Sequence, residues 1–317
     1  MQSSSQSDLA TLSPADWVAR LDELGDEVGY CETLGARHRV FFSDQAPVLL
    51  VTFETSADIR ARQADQLPMG YAIANAHGWS SLTLIADGDT WFRDPAVYGY
   101  FDRLVDDAFF EDFDRVVFFG AGMAGYAAAA FAVAAPGATV IALAPQATLD
   151  PAVAGWDARF PQMRRTRFDD RYGYAPDMLE GTGEAFIILD PLVTEDAMHA
   201  TLFRAPWVRL LRCRGIGQAP GVTLAGLGLI DPMLVAACEG RFNAAMFWRL
   251  YRIRRDSTRW LRGLAARTEA AGRPFLTALL ARNVARRLNA PRFRQLFQRA
   301  QTELAARQIV LPDEKTR

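Results

Sequence analysis

Histidine and cysteine are scarce in this 317-residue chain, at three apiece. Cys31, Cys213 and Cys238 show no metal-ligand spacing, and three thiols cannot all pair. Reduced thiols in a cytoplasmic protein are therefore expected, rather than a disulfide framework or a zinc site. No apolar run reaches the roughly 18–20 residues that cross a bilayer. The first ten residues lack a cationic start and an apolar stretch, so neither a transmembrane segment nor a signal peptide is expected. There is no RNA-binding signature and no zinc-finger spacing, and nucleic acid is not an expected partner. Neither a metal nor a cofactor is expected. What is abundant is apolar material: 50% of residues are hydrophobic and 23% charged. That suffices for one large core, and excludes a disordered or collagen-like chain.

The net charge of −2 conceals a division. Residues 1–239 hold 17 Arg against 32 acids, a charge of −15, whereas residues 240–317 hold 17 Arg and one Lys against 5 acids, a charge of +13. A basic tail suits nucleic acid or anionic lipid. The near cancellation favours instead a basic helical appendage docked against an acidic body in the same chain.

That body reads as strands alternating with helices. Pro47–Glu54, Ser81–Ala86, Arg115–Phe119, Ala138–Leu143, Ala185–Leu189 and Val208–Cys213 are short, near-continuous apolar runs. Such runs suit strands covered on both faces of a parallel sheet. Helices are predicted over Asp94–Phe110, Met123–Ala134 and Thr194–Phe203, and an antiparallel strand over Ala36–Ser43 at one edge. The alternation predicts a doubly wound, mostly parallel α/β sheet. In the tail, Met246, Leu250, Ile253, Ser257, Trp260 and Leu264 fall on one helical face, and Arg249, Arg252, Arg255, Arg259 and Arg262 on another. Gly272–Pro274 breaks this helix; a second follows, and Pro291 opens a third. The organisation expected is 1–35 a tail and helix, 36–240 the sheet domain, 241–310 a basic helical extension and 311–317 a disordered tail, with 1–8 also disordered. The extension offers a contact for a homo-oligomer.

The informative stretch is Gly120-Ala121-Gly122-Met123-Ala124-Gly125, between a strand and a helix. Read literally it is the G-x-G-x-x-G dinucleotide fingerprint, in which amides at a helix N-terminus hold a pyrophosphate. That reading needs an acid at the end of the next strand, where the chain runs Leu143-Ala144-Pro145-Gln146 with no acid until Asp150. Two strong strands also precede the turn. The other reading is a nucleophile elbow, G-x-S-x-G, with Gly120 and Ala124 at the glycine positions and Gly122 where the nucleophile would stand.

The chain resembles a family of bacterial α/β-hydrolase-like proteins, some named phosphoadenosine phosphosulfate reductases. The resemblance covers about residues 45–240. Their elbow reads roughly G-x-S-M-G-G-Y-A-A, followed by a strand ending S-P-Q; here these are Gly120 to Ala128 and Ala144-Pro145-Gln146. Gly78-Trp79-Ser80, Trp91-Phe92-Arg93-Asp94 and Asp190-Pro191 are further landmarks. Neither a pyrophosphatase-type loop nor a Cys-Gly redox motif supports reductase chemistry. The resemblance implies an α/β-hydrolase-like domain over 36–240 with a triad in the order serine, acid, histidine. Gly122 occupies the serine position, Asp190 the acid position and Gln218 the histidine position. It implies an oxyanion loop around Phe53–Ser56, and a ligand site including Phe53, Arg93, Asp94, Met123 and Gln146.

Serine catalysis needs a hydroxyl and an imidazole, and Gly122 and Gln218 supply neither. Among the histidines, His38 is expected at the surface, His77 as structural and His199 on the outer side of its helix. Cys213 is expected as a buried thiol, and Asp94 serves equally as a helix cap. An active serine hydrolase is not expected. The expected protein is a degenerate one that binds a small molecule or a protein partner at the former active site. A rerouted ester or acyl hydrolase or acyltransferase, and nucleotide binding through GAGMAG, stand as alternatives.

Overall fold

A computed structural model describes residues 12–45, 47–62 and 65–312. The segment 1–8, expected to be disordered, lies outside them, as do 313–317. The chain divides between residues 247 and 248 into two compact units.

The first unit opens with α1 (Pro14–Val28), where Ser13 Oγ accepts from Asp16 N and Pro14 takes the first helical position. The strands β1 (Gly29–Leu34), β2 (His38–Ser43) and β3 (Val48–Thr55) follow, then α2 (Ser56–Arg62), α3 (Met69–His77), β4 (Ser80–Ala86) and α4 (Pro95–Asp106). Next come β5 (Arg115–Ala121), α5 (Met123–Ala130), β6 (Thr139–Leu143), α6 (Pro151–Ala154), β7 (Glu184–Leu189) and α7 (Thr194–Leu202). The unit continues through β8 (Val208–Arg212), α8 (Pro220–Gly226) and α9 (Ile230–Cys238), and the division falls within α10 (Ala244–Leu250).

The eight strands form one sheet in the order β1-β2-β4-β3-β5-β6-β7-β8. β3 to β8 are parallel, while β2 is antiparallel to both β1 and β4. The six apolar runs all became strands: five are largely covered on both faces, where a strand is apolar at most positions, and β8 is a half-exposed edge. The antiparallel strand expected at the edge lies one place inward. The edge is β1, which stays half-exposed and so carries no apolar run to betray it.

Successive strand residues face opposite layers. Val40, Phe42, Val51, Phe53, Leu82 and Leu84 join the core beneath α4 and α5, while Phe41 and Ile85 join Trp17, Leu21 and Tyr71 on the other face. α5 packs on three strands because Ala127, Ala128, Ala129 and Ala130 are small and fully buried. Phe53, Phe101 and Phe131 stack beside it at 4.4–6.1 Å between ring centroids. Each such ring is worth roughly 1.5–3 kcal/mol of burial.

In the second unit, α11 (Thr258–Ala270), α12 (Pro274–Leu288) and α13 (Pro291–Ala306) share an apolar seam of Leu261, Ala265, Ala281, Val284, Phe293 and Leu296. The continuous helix expected across residues 246–264 is broken by a 3-10 turn at Tyr251–Arg255. Ser257 restarts the chain as α11 by accepting from Trp260 N. Arg249, Arg252, Arg255, Arg259 and Arg262 are exposed.

Among the described residues no single helix is long and apolar enough to cross a membrane.

Candidate functional site

β5 meets α5 through Gly122, at φ 59° and ψ −121°. Side-chain-bearing residues avoid this region, at a cost of about 1–3 kcal/mol. The turn is locked from both ends: Gly122 N–H donates to Leu143 O (2.7 Å), and Gly122 O accepts from Tyr126 N (2.9 Å). Of the two flanking glycines, Gly120 is required by space and Gly125 is tightly packed. A Cβ on Gly120 would stand 2.0 Å from Ala124 O, and one on Gly125 3.1 Å from Leu143 O. At Gly122 a Cβ would meet nothing within 4 Å. The backbone therefore has the shape of a turn that thrusts a side chain into open space, and this residue has none. Met123, half-buried, opens α5; the first N–H groups of a helix have no partner inside it.

Two more loops converge here. Asp190, directly after β7, is buried, with Oδ1 accepting from Leu192 N (3.0 Å) and Oδ2 from Gly217 N (2.8 Å). The loop after β8 is bent by Gly215 and Gly217, both at positive φ. It leaves Gln218 exposed beside the residue that Asp190 grips. Gly221, next along, packs on Ala121: its Cβ would sit 3.0 Å from that of Ala121. The loops carrying Gly122, Asp190 and Gln218 thus meet at the carboxyl edge of the sheet, where α/β folds bind ligands. Cys213 lies in the same loop but is buried, its N–H donating to Leu189 O.

This is an α/β-hydrolase-like fold. The strand order, with only β2 reversed among the strands that follow β1, and the strained turn after the central strand carry that assignment. No sequence-family model and no curated protein matches the chain. Solved structures with a similar backbone include an esterase from Pyrobaculum calidifontis (14% identity over 73% of this chain and 94% of that one, TM-score 0.41). Others are a thermostable carboxylesterase cloned from a metagenomic library (12%, 73% and 99%, TM-score 0.37) and an S-formylglutathione hydrolase from Agrobacterium tumefaciens (14%, 67% and 98%, TM-score 0.40).

Several residues expected to touch a ligand are committed elsewhere in this α/β-hydrolase-like unit. Phe53 is 3% exposed and stacked within the aromatic core, because its position on β3 faces α5. Arg93 is sealed inside the protein with its side chain 1% exposed. It pairs with Asp170, donates to the carbonyls of Arg167 (3.1 Å) and Arg171 (2.8 Å), and lies over the rings of Tyr98 and Phe168. Asp94 caps α4, accepting from Ala96 N (2.9 Å). Gln146 is buried, with Nε2 donating to Ala144 O in its own loop. Where the oxyanion loop was expected, Glu54 accepts from Met69 N and Gly70 N, both at 2.9 Å, and caps α3. Burial raises the Glu54 carboxyl against the lowering effect of those donors and of Thr52.

Two of the three histidines, His38 and His199, also differ from expectation. His38 is buried, its Nε2 bonded to Thr90 Oγ1 (2.8 Å) and its Nδ1 3.6 Å from Asp94. His199 is not on the outer side of α7 but fully buried. Its Nδ1 accepts from Ala147 N (3.2 Å), so Nε2 carries the proton and donates to Asp157 Oδ2 (3.0 Å). With both ring nitrogens engaged, His199 is not available as a base. Burial lowers the pKa of both imidazoles, opposed by Asp157 at His199 and by Asp94 at His38. His77 is exposed and stacks on Trp79.

Beyond Gln146, no element or site residue was expected in residues 147–183, between β6 and β7. Two latches hold this segment. Arg93 and Tyr126, whose hydroxyl donates to Tyr172 O (2.6 Å), form one. His199 with Asp157 forms the other, and Arg159 extends it by bridging Asp157 and Asp196, each at 2.7 Å. Burial opposes ionisation of Asp157, but the bonds from Arg159 and His199 prevail and lower its pKa. Local spacing offers no signal for either latch, since the partners, apart from the neighbouring pair Asp157 and Arg159, lie 33–78 residues apart.

Proposed function

We propose that this chain is a catalytically degenerate α/β-hydrolase-like protein that binds a small ligand at the junction of the loops after β5, β7 and β8. The supporting observation is Gly122: the strained backbone of a nucleophile turn, with open space where the attacking side chain would stand. Serine-type acyl transfer needs a hydroxyl at that point and a base to take its proton, and general-base assistance alone contributes about 10²–10⁴-fold. Gly122 has no side chain, and the amide of Gln218 does not take up a proton at neutral pH. Amides at the start of α5 suit a carboxylate or phosphate oxygen.

Three measurements test this reading. A fluorophosphonate probe is expected to leave the protein unlabelled, and an ester and thioester panel to show no turnover. The double replacement Gly122→Ser with Gln218→His is expected to gain esterase activity and labelling at residue 122. A folded but inert double variant would remove the triad alignment. Ester turnover without labelling would favour a rerouted hydrolase or acyltransferase instead. Nucleotide binding through GAGMAG lacks its ribose-binding acid: the first acid after β6, Asp150, caps α6 by accepting from Ala152 N. Titration with the dinucleotides NAD and FAD, which carry no terminal phosphate, is expected to leave tryptophan fluorescence unchanged.

A further inference from the structure

A cleft of about 480 Å³ opens away from Gly122, Asp190 and Gln218, lined by residues of α1, α2, the β1–β2 turn and the end of β4. Ser56 and Asp87, just past the carboxyl ends of β3 and β4, place it on the same sheet edge as the Gly122 junction, towards β2. That volume suits a small organic ligand. Part of the wall is apolar, made by Trp17, Val18 and Ile85. The rest is cationic: Arg37, Arg39 and Arg60 all line it, on a unit that is otherwise strongly acidic.

The three guanidiniums differ in their partners. Arg39 is neutralised by Asp22. Arg37 donates from Nε and Nη2 to the main-chain oxygen of Asp87, at 3.0 and 2.6 Å. Arg60 donates to Leu12 O (2.9 Å) and Gln66 Oε1 (3.5 Å) and lies over the indole of Trp17. Carbonyls orient a guanidinium without cancelling its charge. Among the described residues neither Arg37 nor Arg60 has an ion pair, and the one carboxylate of the lining, Asp87, accepts from Ser56 Oγ (3.3 Å).

We propose that this cleft is a second binding site, for a phosphomonoester with an apolar or planar body. Arg37 and Arg60 hold the phosphate, because two oriented guanidiniums without carboxylate partners match a dianion, and the Nη1 of each is left to donate to its oxygens. Pro14, Val18 and Ala57, which line the cleft and keep exposed surface, take the body. No residue of its lining belongs to the Gly122 junction.

The test is calorimetric titration of the full-length protein with phenyl phosphate, benzoate, inorganic phosphate and phenol. Phenyl phosphate is expected to bind most tightly, inorganic phosphate and benzoate at least several-fold more weakly, and phenol not at all. Arg37→Gln and Arg60→Gln are each expected to weaken phenyl phosphate about tenfold or more, as for loss of a charge-assisted hydrogen bond. Ala57→Phe, which fills the cleft from an exposed position on α2, is expected to abolish binding without touching either arginine. Benzoate binding as tightly as phenyl phosphate would overturn the phosphate assignment. No binding, or binding indifferent to Ala57→Phe, would overturn the site.

Discussion

Gly120 and Gly122 stand two residues apart and are glycine for different reasons. Gly120 has no room for a side chain, whereas Gly122 has room and an unusual backbone. Gly120→Ala is therefore expected to destabilise by roughly 2–4 kcal/mol, since its new carbon would overlap the Ala124 carbonyl. Gly122→Ser should cost about 1–3 kcal/mol, all of it backbone strain. Thermal melts of the two variants check the order, which reverses if Gly122 is the sterically closed position. The buried imidazoles make a pH prediction at the same scale. His38 and His199 have lowered pKa values in the fold, so the unfolded chain takes up protons first. Their contribution to stability is complete above the unfolded value near 6.5 and is lost as pH falls through the folded values. Melting temperature should drop between pH 7.5 and 5.5. His199→Asn should remove part of that slope and the double replacement with His38→Asn more of it; an unchanged slope in both would refute the assignment.

At the scale of elements, the segment between β6 and β7 depends on contacts made by β5–α5, α4 and α7 rather than on its own helices. α6 spans only Pro151–Ala154, too short to be stable alone. Arg93 donates into this segment at three residues while its own side chain is sealed from water. Arg93→Ala leaves Asp170 unpaired and two carbonyls unsatisfied, and is expected to cost roughly 2–4 kcal/mol. Hydrogen exchange should show the loss concentrated in residues 160–175. Arg93→Lys should rescue little, because an ammonium cannot span three acceptors held by a planar fork. Protection unchanged in that segment would show that the His199 latch suffices alone. The same element shows what local sequence conveys. Its flanking strands were readable as apolar runs, and α5 as a run of alanines. The latches were not, because Arg93, Asp157 and His199 look like any polar residues until the fold brings them under cover.

At the scale of the whole molecule, charge is the dominant asymmetry. The first 239 residues carry −15 and the remainder +13. Opposite charges of that size predict salt-sensitive self-association. Sedimentation velocity should show a concentration-dependent rise in mass in low salt that vanishes in about 0.5 M salt, where screening acts within a few ångströms. A monomer under both conditions would remove the expectation.

The amino-acid order alone determined the alternation of strands and helices, the parallel character of the sheet and the glycine turn after β5. Each of these follows from apolar periodicity or from the stereochemistry of neighbouring residues. It also marked Gly122 and Gln218 as unable to attack or to accept a proton, since that depends only on side-chain chemistry. Only the tertiary structure decided that Asp190 grips Gly217, that Arg93 and Phe53 face inward, that two histidines are buried, and that Arg37 and Arg60 share a cleft. The reason is physical: whether a polar side chain is covered, and by what, depends on partners tens of residues away, and no local pattern records which of them the fold will bring within 3 Å.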